Sequence, residues 1–228
     1  MVDVLYEDNQ IIVVAKPQNI PSQEDASGDK DMLTMVKEYV KEKYNKPGNV
    51  YIGLVHRLDR PTGGVMVFAR TSKAAARLTE QIQNGKLNKN YFAVVNGVPK
   101  EKSVRLEHYL KKDTKNNIVT IVPRGETGAK YAELTYKVVE EREHISLLDV
   151  KLLTGRSHQI RVQLSTTGYP IFGDAKYNGD KFGKCDLALW AYKLTFEHPT
   201  TKKQMQFVCM PNEEKMPWKM FQMHKYVK

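Results

Sequence analysis

The chain has 228 residues, 41% of them apolar and 27% charged, which suits a soluble globular protein of one domain or of one core with two lobes. Its 36 lysines and arginines against 26 acids leave a net charge of +10, an excess that suits a polyanionic partner, although charge alone does not separate nucleic-acid binding from a solvated lysine surface. Two cysteines, Cys185 and Cys209, exclude a disulfide scaffold and lie in no zinc-ligand spacing; no signal sequence is visible and no run approaches the roughly 18 apolar residues of a membrane span, so the cytoplasm is the expected location.

Val4-Leu5-Tyr6 and Ile11-Ile12-Val13-Val14 flank Glu7-Asp8-Asn9 and predict a β-hairpin whose second strand ends at Lys16-Pro17. Residues 18–30 are polar and turn-rich, a loop. A helix is predicted over 31–44, with Leu33, Val36 and Val40 on one face, ended by Lys46-Pro47-Gly48-Asn49. A short strand over 50–55 leads into His56-Arg57-Leu58-Asp59-Arg60-Pro61-Thr62-Gly63-Gly64, and 65–68 reads as a buried strand. Ser72 is the expected N-cap of the next helix, in which Ala75, Leu78 and Ile82 recur at helical spacing before Gly85 stops it. Residues 89–95 form a strand with Tyr91, Ala93 and Val95 on one face and Phe92 and Val94 on the other.

Two short, charged strands are predicted within 104–122 around Asn116-Asn117, then a strand pair over 131–139 and 144–153. A helix follows over 157–166, ended by Gly168, and 187–210 is strand-rich. Met216, Trp218, Met220, Phe221 and Met223 form an apolar cluster expected to pack on the body. Strands outnumber helices and hairpins are as frequent as crossovers, so the predicted class is α+β with a mixed, mostly antiparallel sheet. Neither G-x-G-x-x-G nor G-x-x-x-x-G-K-[ST] occurs, so the chain has no phosphate-cradle motif.

Three stretches can carry chemistry. The first, 56–64, sets one carboxylate among three potential cations, His56, Arg57 and Arg60. In extended backbone Arg57 and Asp59 point one way and His56 and Leu58 the other, so Leu58 can anchor the segment while Arg57 and Asp59 face a cleft. Pro61 and Gly63-Gly64 are expected to fix the turn. A carboxylate held by an arginine stays ionised, and an ionised, positioned aspartate can act as a covalent nucleophile. Taken alone, a structural Arg–Asp pair is the simpler reading. The second stretch, Gly155-Arg156-Ser157-His158-Gln159-Ile160-Arg161, follows a strand and opens a helix that Ser157 can cap. It gathers two arginines, a histidine and an amide near a helix N-terminus, which suits phosphate and base binding; a basic first turn on a surface helix is the alternative. In the third, 89–97, Tyr91 can stack on a base, serve as an acid/base group, or simply fill a core.

Taken in order, His56-Arg57-Leu58-Asp59 with Thr62 and Gly64, Lys89-Asn90-Tyr91-Phe92-Ala93, Gly155 to Val162, and Gly173-Asp174-x-x-Tyr177 resemble the RluA-like branch of the pseudouridine synthases; Lys16-Pro17 and Phe196-Glu197-His198-Pro199 fit as well. The resemblance implies a largely antiparallel sheet in two lobes with an active-site cleft between them. It further implies one catalytic domain over 1–228 without the S4 domain some relatives carry, and isomerisation of uridine to pseudouridine within RNA. By the same resemblance Asp59 matches the catalytic aspartate, Tyr91 the tyrosine that packs on the target base and takes part in proton transfer, Arg161 the basic partner of the aspartate, and Arg57 an arginine linked to nucleotide flipping. The expected RNA-binding set is Lys16, His56, Arg57, Arg60, Arg156, His158 and Gln159. Gly63 stands where the family usually has serine, a departure that bears on the backbone and removes no catalytic side chain.

The implied reaction exchanges an N-glycosidic bond for a bond to C5 of the same base without redox change, so neither cofactor nor metal is expected. The carboxylate can add at C6 or act at C1′, and both routes stay open. The expected partner is rRNA or tRNA, bound by a monomer, with no membrane and no nucleotide cofactor. Two other readings are an inactive RNA-binding protein of the same fold and an Asp-dependent glycosidase. The latter usually needs two carboxylates across the bond, and no second acid lies in the basic motifs.

Overall fold

Eleven strands and three α-helices form within the described residues, 2–178 and 185–227, of the computed structural model, an α+β class as predicted. The chain divides into two units, Met1–Lys89 with Ala191–Met210 and Asn90–Trp190 with Pro211–Lys228.

In the first unit β1 (Asp3–Glu7) and β2 (Ile11–Lys16) form the predicted antiparallel hairpin. Asp8 shapes its turn, Oδ1 accepting from the backbone N–H of Gln10 (2.7 Å) and Ile11 (2.9 Å). β2 pairs antiparallel with β4 (Gly63–Ala69), and both are buried at every position. Burial on both faces is why they read as continuous apolar runs rather than alternation. The short β3 (Gly53–Leu54) adds to β4. The order β1-β2-β4 continues to β10 (Leu189–Glu197), which forms a hairpin with β11 (Gln204–Val208).

Helix α1 (Met32–Lys43) has Asp31 as N-cap, Oδ1 accepting from Thr34 N–H at 3.1 Å, and Tyr44 as C-cap, matching the predicted span. Its buried stripe is Met32, Val36 and Val40, so Met32 rather than Leu33 begins it; i, i+4 and i+8 share a face. Helix α2 (Ser72–Gln83) is capped by Thr71, one residue before the expected Ser72, with Oγ1 accepting from Ala74 N–H at 3.1 Å. Burial of Ala74 and Leu78 sets the phase of the helix, and the cap must stand three residues before the N–H it satisfies. The helix packs on a core of Ile11, Val13, Val65, Val67, Leu78, Leu194 and Phe196. Full burial of each larger side chain contributes about 1.5–3 kcal/mol.

In the second unit β5 (Asn88–Asn96), β9 (Ile145–Leu152), β8 (Lys130–Glu141), β6 (Ser103–Asp113) and β7 (Ile118–Val122) lie in that order. β6 pairs antiparallel with β7 and β8, and β8 with β9. The β6–β7 hairpin turns at the predicted asparagines, with the Asp113 carboxylate accepting from the N–H of Lys115 and Asn116 and Asn117 at φ 50°. Helix α3 (Gln159–Thr166) begins two residues later than predicted. Ser157 does not cap it: His158 holds the cap position in left-handed backbone (φ 52°) and makes no side-chain cap bond. Of the C-terminal cluster, Trp218, Phe221 and Met223 are buried while Met216 is exposed. No helix among the described residues is long and apolar enough to cross a membrane.

Candidate active site

Residues 55–62 carry no strand or helix, yet their backbone is tied down closely. Ser22 Oγ donates to Leu58 O (2.7 Å) and accepts from Leu58 N–H (3.1 Å). Asn19 N–H (2.8 Å) and Lys16 Nζ (3.1 Å) both donate to Arg60 O, and Gln18 Nε2 donates to Pro61 O (2.9 Å). The predicted alternation holds: His56 and Leu58 are buried, Arg57 is exposed and Asp59 is half-buried. Thr62 N–H donates to Asp59 O at 2.9 Å and closes the turn over Arg60 and Pro61. Gly63 and Gly64 lie beyond that turn, as the first residues of β4, which corrects their expected role in it. Gly64, at φ 125°, is required by close approach: a Cβ there would lie 2.2 Å from Ala191 O. The departure from the family's serine at Gly63 therefore falls in a buried strand rather than in the turn.

Two of the expected RNA contacts in this unit are interior. Lys16 is fully buried, with Nζ donating to Pro17 O (2.9 Å) and Arg60 O. Burial pushes its ammonium down to about 7, and the negative charge of Asp59 opposes the fall. His56 accepts from Val67 N–H through Nε2 (3.0 Å), which places the ring proton on Nδ1, an atom without a hydrogen-bond partner among the described residues. Burial, aided by the charge of Lys89, pushes this imidazole down to about 3. The segment thus offers two cations, not three: Arg57 on the surface and Arg60, which is held by Ser27 Oγ (2.8 Å) and by the Asp29 carboxylate.

In the second unit Gln159 is buried with its amide engaged on the turn before α3. Oε1 accepts from Thr154 Oγ1 (2.7 Å) and Arg156 N–H (3.0 Å), and Nε2 donates to Glu133 O (2.9 Å). Arg156 is exposed and donates through Nε to Tyr131 O (2.8 Å). His158 is buried, and its Nδ1 shares a 2.8 Å hydrogen bond with Tyr177 Oη, which also accepts from Val119 N–H (2.9 Å). Arg161 is buried too, donating through Nε to Asp174 Oδ2 (2.8 Å) and through Nη2 to Oδ1 (2.7 Å). Asp174 Oδ1 accepts as well from the N–H of Lys176 and Tyr177, and the Tyr177 ring centroid lies 5.2 Å from the guanidinium carbon. A bidentate pair backed by peptide N–H groups fixes both the place and the direction of the guanidinium. Tyr91 is buried on β5.

The structure thus brings Lys16, at the end of β2, to the segment that carries Asp59 and Arg60, and gathers His158 and Arg161 around Tyr177. Asp174 and Tyr177 carry no predicted role of their own, and the signal that marks them is the stretch Gly173-Asp174-x-x-Tyr177. Among the described residues no three His, Cys, Asp or Glu side chains gather into a metal site.

Residues 10–166 match the family model of the RNA pseudouridylate synthases. The chain is 33% identical to ribosomal large subunit pseudouridine synthase C of Buchnera aphidicola subsp. Baizongia pistaciae over 89% of its own length and 64% of that protein. It is also 33% identical to ribosomal large subunit pseudouridine synthase D of Vibrio cholerae, over 90% of this chain and 66% of the relative. The chain therefore belongs to the RNA pseudouridylate synthase family, in its RluA-like branch. It spans about two thirds of the length of these curated relatives. The fold is also that of human RNA pseudouridylate synthase domain containing 4, with a TM-score of 0.77 at 24% identity over 92% of this chain and 89% of the other. Human RNA pseudouridylate synthase domain containing 1 has it too, at a TM-score of 0.72 and 22% identity over 96% and 86%.

Proposed function

We propose that this chain isomerises uridine to pseudouridine in structured RNA, with ribosomal RNA favoured over transfer RNA by the names of its relatives. The observation that carries the reading is Asp59, a half-buried carboxylate on a backbone tied down at Leu58, Arg60 and Pro61, in a chain of this family. In this reading Asp59 adds to C6 of the base or acts at C1′ of the sugar. Tyr91 packs on the base and assists proton transfer, and Arg161 supplies the compensating positive charge. Extruding the base from its stack costs a few kcal/mol, which aromatic stacking and phosphate contacts offset.

Arg57, Arg60 and Arg156 are the exposed arginines of the expected set and serve the phosphates, in line with a net charge of +10. Lys16, His56 and Gln159 act from below, as supports of the segments that carry the contacts. Both units serve one catalytic domain, a monomer of the cytoplasm that uses neither metal nor nucleotide cofactor.

The test is tritium release from rRNA and tRNA transcripts labelled at uridine C5. Asp59→Asn is expected to lower release at least about 1000-fold while RNA affinity stays within about threefold. Equal release by both proteins overturns the assignment of Asp59.

A further inference from the structure

Lys89 lies in the stretch that carries Tyr91, yet the proposed mechanism gives it no task. It is the second residue of β5, two before Tyr91, so both side chains leave the strand on the same face, roughly 7 Å apart along it. Its side chain is mostly covered but not sealed, and its charge reaches the buried imidazole of His56, three residues before Asp59. Among the described residues its ammonium has neither a hydrogen-bond acceptor nor a carboxylate partner. Burial accordingly pushes it below the ordinary lysine range, with no acid opposing the fall.

Two other buried cations among the described residues are treated differently. Lys16 Nζ meets two backbone carbonyls and feels Asp59, and Arg161 is clamped by Asp174. His56, kept neutral by Val67 N–H, can give Lys89 no ionic partner. A desolvated cation without a counter-charge lowers the stability of the fold that holds it. Positions that break such a local rule are where function is found.

We propose that Lys89 is an RNA-contact residue whose ammonium binds a phosphate oxygen of the target nucleotide. The inference rests on the reading of Tyr91 as the residue that packs on the target base. A phosphate supplies the acceptor and the negative charge that the protein withholds, in a charge-assisted bond. The single pleat repeat from Tyr91 to Lys89 is comparable to the span from a nucleotide's base to its own phosphate.

The experiment compares wild type, Lys89→Met and Lys89→Arg. It measures affinity for in vitro transcribed large-subunit rRNA between 50 and 200 mM salt, pseudouridine formation in that RNA, and thermal unfolding of the free proteins. Lys89→Met is expected to weaken binding roughly 5- to 10-fold at the lower salt and to reduce the slope of log affinity against log salt by about 0.7–0.9, the signature of one lost phosphate contact. It is also expected to raise Tm by about 2–4 °C, because it removes the desolvated charge. A packing role for Lys89 would lower Tm instead. Lys89→Arg keeps the slope. An unchanged slope in Lys89→Met, or a fall in its Tm, overturns the inference while leaving wild-type activity to stand. A wild type that binds this RNA with the Lys89-dependent slope but forms no pseudouridine in it or in tRNA overturns the functional reading and upholds the phosphate contact.

Discussion

In the first unit the charged segment is held by its backbone: Ser22, Asn19, Gln18 and Lys16 bind the peptide groups of Leu58, Arg60 and Pro61. In the second, Arg161 is held by its own side chain, through two bonds to Asp174 and the face of Tyr177. Backbone anchoring fixes where a side chain such as that of Asp59 starts. Side-chain anchoring fixes the direction of a charge as well, and it takes up donors that would otherwise meet a substrate.

Each kind of anchor can be removed by one substitution. Gly64→Ala strikes the first unit where β4 leaves the anchored segment, and the added Cβ would lie 2.2 Å from Ala191 O on a backbone at φ 125°. A loss above about 4 kcal/mol is expected, read as failure to recover soluble folded protein or as a collapse of the urea midpoint. A midpoint shift under a tenth of that size would mean the approach of β10 relaxes easily. Asp174→Ala strikes the second unit by removing the two bonds that fix the buried guanidinium of Arg161. The expected cost is about 3–5 kcal/mol in chemical denaturation, and a cost below about 1 kcal/mol would show that Asp174 is not what holds the arginine.

His56 makes the first unit sensitive to pH. Its folded pKa, about 3, lies below the ordinary 6.5, so the folded state keeps the ring neutral while the unfolded chain takes up a proton below pH 6.5. Stability from this site is complete above pH 6.5 and is lost progressively as pH falls toward 3. Between pH 6.5 and 5.5 the loss is expected to reach about 1 kcal/mol. His56→Gln can still accept from Val67 N–H and should flatten that limb in urea titrations across the window. An unchanged slope would assign the acid sensitivity to other groups.

What was legible in the sequence was what short-range chemistry decides. Asp31 as a cap, the apolar stripe of α1, the turn at Asn116-Asn117 and the alternation through His56-Arg57-Leu58-Asp59 follow from neighbours within a few residues. Thr71 and Ser72 are both good caps, and only the burial of Ala74 and Leu78 decides between them. α3 starts two residues beyond the predicted position because left-handed backbone at His158, not a hydroxyl cap, precedes it. The site was legible in residue type but not in charge state. His56 looked cationic and is neutral because its partner, Val67 N–H, comes from a strand that folds over it. Lys16 looked like a surface contact and is interior because β2 is covered on both faces. Asp174 lies thirteen residues from Arg161, beyond any local rule, so its clamp on the arginine could not be read from spacing.

The first unit is discontinuous in the chain. Ile11, Val13, Val65 and Val67 pack with Leu194 and Phe196, and the turn residue Asp8 meets His198 Nε2 at 2.8 Å. During synthesis from the N-terminus, strands β2 and β4 leave the ribosome with α2 close behind, but Leu194 and Phe196 complete their core only after about a hundred further residues, roughly 5–20 s. The Asn90–Trp190 segment emerges throughout that interval and its own unit is completed only by Pro211–Lys228, so each unit waits for a distant part of the chain. Until β10 arrives, the edge of β4 that it pairs is open to aggregation and to capture by chaperones.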